Sequence, residues 1–337
     1  MLHDEYLHVI ATKSITSENT RFYHLVLWTL IVLKSWKFWV GCALFIGLIW
    51  LVENSIGWLS ILQSWQAIPP QSLGIALLLM LASYLLRAVR FYDFFQPQVK
   101  GAFAPLLRIT VLHNFFNNML PMRSGEAAFP VLMKTRFGIP FSHSAPALLW
   151  LRLLDLYALL ALAFISLQVL IPWGIEIRTL LAVAVVLAPL VALLIQNQLR
   201  RYLASRQGWK LKAAELMAAL PEHPATFTRA LFWTFINWVL KLAVYSWLLQ
   251  VFTGLDLHKA WTGATTGELS SVLPIHGVAG AGTYEAGVLA GLIPWAVDHK
   301  VALAAAVNLH LFVLGTTFVL TALLVLATQV STRENTP

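Results

Sequence analysis

The apolar runs constrain this chain more than any other feature. Ser72–Leu86, Ala145–Ile171, Thr179–Ile195 and Val301–Thr328 reach or approach the about 20 residues a helix needs to cross a bilayer. In hydrocarbon no water answers a bare N–H or C=O, so a spanning segment must satisfy its own backbone, as a helix does. Composition agrees, with 59% of residues hydrophobic, 11% charged and a mean hydropathy of +0.73. A globular domain carries about 25% charged residues. The expected fold is an all-α polytopic membrane protein. Trp36, Trp58, Trp65, Trp173, Trp209, Trp261 and Trp295 flank many of the runs, as in an interfacial belt. Cys42 stands alone, so no internal disulfide can form.

A net charge of +8 raises the question of nucleic acid. The basic residues collect in particular loops rather than on one patch, which is the positive-inside pattern and argues against nucleic-acid binding. The first twenty residues are polar with mixed charge and no small-residue cleavage site follows, so no signal peptide is expected. Spans are expected near Ser35–Val52, Ser72–Leu86, Ala145–Ile171, Thr179–Ile195, Ala230–Phe252 and Val301–Thr328. Glu53 to Gln71 has no lysine or arginine and reads as external, whereas Arg87, Arg90 and Lys100 bring the chain back to the cytoplasm. The basic loop Arg200–Arg229 reads as cytoplasmic, with Trp209–His223 as a surface amphipathic helix. This arrangement puts seventeen lysines and arginines inside and three outside. It divides the chain into a cytoplasmic segment 1–33 with a possible interfacial helix, one transmembrane domain 34–330 and a tail 331–337. Both termini are then cytoplasmic, in a bacterial inner membrane.

Two stretches interrupt the apolar pattern. Asn117–Glu126 (NNMLPMRSGE) holds Pro121, Arg123, Gly125 and Glu126; Gly267–Glu285 (GELSSVLPIHGVAGAGTYE) holds Glu268, Pro274, Gly277, Gly280, Gly282 and Glu285. Proline and glycine break a helix, and irregular backbone at membrane depth survives only against protein or water. Broken segments in corresponding positions of two halves point to a transporter site. With three spans and one re-entrant hairpin in each half (about 34–174 and 175–330), the odd number of crossings makes the halves inverted relative to each other.

Intramembrane ionisable groups are functional candidates by default. Arg123 would bind a phosphate, and Glu126 would orient it or answer an amine. Their three-residue spacing equally allows them to neutralise one another. Arg152 and Asp155 share a helix face, as a substrate site or as a packing pair. Lys241, at mid-span, needs a carboxylate, for which Glu268 and Glu285 are the candidates; coupling and structure are both open. Asn308 and His310 read as packing residues. GVAGAGTYEAG fails as a dinucleotide fingerprint, because Glu285 stands where the third glycine belongs. No zinc spacing, Walker lysine or nucleophile motif is present, so no cofactor and no metal are expected.

NNMLPMRSGE, followed by Arg136 and then by RLLD at Arg152–Asp155, resembles the membrane domain of the bacterial lysylphosphatidylglycerol synthases, the multiple peptide resistance factor family. LPIHGVAGAGTYE is similar to that family's second signature. In that family this domain is taken to be a lipid flippase joined to an aminoacyl-transfer domain. Since the chain ends at Pro337, the resemblance implies the flippase-like part without lysyl transfer. It also implies roles for Arg123, Glu126, Arg152, Asp155 and Glu285. The expected function is movement of an anionic or lipid-linked headgroup between leaflets, with membrane lipids as partners, rather than catalysis. The rivals are a membrane enzyme acting on a lipid-linked substrate, with Asp155, Glu126 or Glu285 as acid or base, and a scaffold for a lipid-synthesis enzyme.

Overall fold

The computed structural model describes residues 36–120, 125–204, 224–272 and 278–334. The segment 1–33, Pro121, Arg123, Pro274, Gly277, the 209–223 stretch and the end of the tail lie outside the described residues. Among the described residues every regular element is helical. α1 (Trp36–Ser55) and α2 (Trp58–Gln63) are followed by α3 (Pro70–Phe94), α4 (Phe103–Met119), α5 (Ala128–Phe137) and α6 (Phe141–Leu167). α7 (Ile175–Ala204), α8 (Pro224–Thr253), α9 (Leu257–Val272), α10 (Thr283–Leu292) and α11 (His299–Glu334) complete the order.

Among the described residues four helices are long and apolar enough to cross a membrane: Pro70–Phe94, Phe141–Leu167, Pro224–Thr253 and His299–Ala327. A fifth crossing is counted if Cys42–Ser55 and Trp58–Ala67, which meet at 83°, form one bent span. The expected crossing at 179–195 falls in α7, whose side chains are described only in part. Glu53–Gln71, expected as an external loop, is largely helical. Ile61 of α2 is buried against Val52 and Val307, because an apolar turn beside a spanning helix packs on it.

α8 is the central helix, in contact with α3, α6, α9 and α11. The buried stripe of α6 (Ala147, Leu151, Leu154, Asp155, Ala158, Leu162) follows the period of a helix, while Leu149, Leu153 and Leu160 on its other side are exposed. A helix apolar all round fits a span whose outer face meets lipid. Pro70 starts α3, where its missing N–H costs no hydrogen bond, and Gly138 (φ 69°) ends α5 in the left-handed conformation.

Both interrupted stretches are helix–break–helix. α4 stops at Met119, and the chain re-forms as a turn at Gly125–Ala127 and then as α5. α9 stops at Val272, and a turn at Val278–Gly280 leads into α10. Gly125 permits the first break to fold back closely: a Cβ there would lie 2.6 Å from the Phe116 carbonyl oxygen. In the second hairpin α9 and α10 touch along Gly263, Gly267, Gly287 and Gly291, two small-xxx-small pairs that bring the backbones together.

Candidate functional site

The hairpins, α3, α6 and α8 carry the buried charges. On α6, Asp155 takes a two-pronged contact from Arg90 of α3, Nη1–Oδ1 at 2.6 Å and Nη2–Oδ2 at 3.2 Å. Such fork-to-carboxylate pairing is the strong form of the ion pair. Trp238 of α8 donates its indole N–H to the same Oδ1 at 3.0 Å, and Arg90 also donates to Thr234 at 2.8 Å. Arg152 stands 3.4 Å from Asp155 but pairs more closely with Glu126 at the first break, Nε–Oε1 3.0 Å. It also donates to Nε2 of His113, 2.9 Å away on α4. The i, i+3 pair on α6 is real, yet each member has a nearer partner from another element.

Lys241 of α8 donates to Glu268 of α9 at 3.1 Å, and its ammonium lies 4.6 Å from the Trp238 ring centroid and 5.2 Å from that of Tyr245. Glu285, the other candidate for Lys241, is engaged elsewhere. One oxygen accepts from the Gly282 N–H at 2.8 Å, closing the first turn of α10. The other meets Nδ1 of His310 at 2.6 Å, and Nε2 of that ring lies 2.9 Å from the Ala279 carbonyl. His310 is therefore part of the charged network, not merely a packing residue.

Arg87 differs from the other cations. Its guanidinium donates to the amide oxygen of Asn114, whose Nδ2 donates to the Tyr84 hydroxyl at 2.8 Å. It is buried, and among the described residues no carboxylate lies within ion-pair distance of it. Arg87 and Arg90 were expected in a cytoplasmic loop. They instead extend α3 by two turns, pointing inward on the stripe of Met80, Tyr84 and Phe91. The helical period of that stripe continues through both arginines, and is the signal in the sequence that places them.

A polar cavity lies among these groups. One lobe is lined by Arg87, Asn114, Arg152, Asp155 and Trp238; the other by Ala279, Gly280, Tyr284 and His310. Asn117, Asn118, Lys241, Glu268 and Ser271 line both. The structure thus gathers Glu126, Arg152, Asp155, Lys241 and Glu268 into one neighbourhood. Gly125, Gly280 and Gly282 mark the two breaks beside it, and Glu285 sits behind His310. Among the described residues no three His, Cys, Asp or Glu side chains converge as metal ligands do.

Spanning helices wrapped around two broken hairpins, with a charged cavity at the breaks, define a multi-pass helical membrane protein. The chain matches the family described as the lysylphosphatidylglycerol synthase TM region over residues 38–323, and it belongs to that family. No curated protein matches it.

Proposed function

We propose that the chain is a flippase-like transporter that moves a phospholipid or lipid-linked headgroup between leaflets, its phosphate held in the polar cavity. The observation that carries this reading is the charge of Arg87. Arg90, Arg152 and Lys241 each have a carboxylate, whereas Arg87 lines the cavity with an amide for a partner. An ionised group at membrane depth is costly without a counter-charge, and an anionic headgroup supplies one. A guanidinium suits phosphate because its planar fork gives two parallel hydrogen bonds. Arg123, two residues before Gly125, joins the site in this reading on sequence grounds. The inverted-halves arrangement, cytoplasmic termini and a bacterial inner membrane belong to the same reading, with an ion gradient, a proton gradient or none as driving force.

The enzyme reading is weaker on geometry. Asp155 is held by Arg90, Arg152 and Trp238, and both oxygens of Glu285 are engaged, so two of the three carboxylates put forward as acid or base have no free edge. The deciding experiment is reconstitution into vesicles with fluorescent lipids of different headgroups, run beside a search for reaction products. Parent protein should move lipids bearing an anionic phosphate. Arg87→Gln should keep the helical content and melting behaviour of the parent while losing at least about tenfold of the rate, the order expected from one charge-assisted hydrogen bond. Full translocation by Arg87→Gln would remove the central support.

A further inference from the structure

On the outer surface α5 and α6 leave a groove between them. Pro130, Phe141, Ala145, Leu149 and Leu153 make its walls apolar, and Phe141, Leu149 and Leu153 are exposed. Glu126 and Arg152 also line it. Arg152 and Val272 line both this groove and the polar cavity, so one guanidinium stands between the two spaces. Burial agrees with that position: the side chains of Arg152 and Glu126 are 16% and 28% exposed, against 2% and 3% for Arg90 and Asp155 farther in. A second apolar groove, between α3 and α8 at Ile75, Leu79 and Trp247, shares no lining residue with the cavity. Continuity with the charged interior is what sets the α5–α6 groove apart.

We propose that the α5–α6 groove seats one acyl chain of a phospholipid, and that Arg152 at its inner wall hands the phosphate of that lipid to the polar cavity. The proposal rests on the transporter reading and adds to it the place where the lipid comes in from the side. The stretch of α6 from Phe141 to Leu156 is ~22 Å long at 1.5 Å per residue, more than the ~15 Å of one leaflet's hydrocarbon. Arg152 stands in the wall of that stretch beside Leu149 and Leu153, so a lipid whose chain packs on those leucines has its phosphate within reach of the guanidinium. Arg152 exchanges the Glu126 carboxylate for the phosphate, so the guanidinium keeps an anionic partner throughout, as a charge at membrane depth requires.

The test uses the whole chain in vesicles of phosphatidylglycerol and phosphatidylcholine containing a trace of phosphatidylglycerol with a photoactivatable group at mid-chain. After detergent extraction and irradiation, mass spectrometry should find cross-links at Leu149 and Leu153 at least fivefold above those at Ile75 and Leu79. Leu149→Trp with Leu153→Trp, which fills the groove from a lipid-facing side, should lower that labelling and slow translocation at least tenfold. Ile75→Trp should change neither. Equal labelling of the two grooves, in a parent protein that translocates lipid, overturns the groove and leaves the transporter reading standing. Labelling confined to α6 in a protein that moves no lipid supports the groove and sinks the transporter reading instead.

Discussion

Lys241 shows what a single buried charge demands. At the middle of a span it cannot reach either surface, and the structure answers it with Glu268 and two aromatic faces. Removing one member of a buried pair leaves the other uncompensated and costs roughly 3–5 kcal/mol, whereas removing both can be nearly neutral. Lys241→Met should therefore lower the unfolding midpoint in detergent markedly, and Lys241→Met with Glu268→Gln should recover most of it. Lys241→Met combined with Glu285→Gln should recover nothing, because Glu285 is bound to His310 and to the first turn of α10. Recovery by the Glu285 double variant, and not by the Glu268 one, would show that the pairing is misassigned.

At the scale of the element, the second hairpin is held by backbone approach more than by side-chain bulk. A Cβ on Gly291 would land on the Thr266 hydroxyl and lie 2.5 Å from the Thr262 carbonyl oxygen. The Thr262 hydroxyl donates to the Gly291 carbonyl at 2.7 Å, so the two helices are also bonded across the seam. Gly291→Ala should push α10 off α9 and cost about 1–3 kcal/mol, the usual penalty for overpacking. Gly315, within α11, has nothing within 4 Å of a Cβ, so Gly315→Ala should be neutral or stabilise by up to about 1 kcal/mol through lower chain entropy. Thermal unfolding of the two variants side by side reads the difference. Equal stability would mean that α9 and α10 are not in close contact.

The whole molecule is defined by how the chain threads the membrane, and positive-inside counting gives that a testable form. Ser64, in the stretch expected outside, accepts a hydrogen bond from Asn308 at 2.8 Å, so exposed Gln66 is the better reporter. In a Cys42→Ala background, Gln66→Cys should react with an impermeant thiol reagent added to intact cells. Ser205→Cys, in the basic loop, should react only after the cells are opened. The reverse pattern would invert the topology and exchange the leaflet from which the α5–α6 groove is reached.

By itself the amino-acid sequence determined the class, the two breaks and the family. These are local properties: an apolar run of the right length, a proline or glycine within it, a short motif. It also determined that Arg152 and Asp155 share a face, because i, i+3 spacing is fixed by the helix. It left Lys241 with two possible partners, and it made Arg87 and Arg90 look like the end of a span, since charge after an apolar run ordinarily marks the interface. Only the tertiary structure decided that Arg90 meets Asp155 sixty-five positions away, that Glu268 rather than Glu285 answers Lys241, and that Arg87 faces the cavity beside the Asn114 amide. The reason is physical. A buried charge takes whichever opposite charge helix packing brings within a few ångströms, and the packing is set by apolar and small-residue contacts spread over many helices, not by the spacing of the charged residues along the chain.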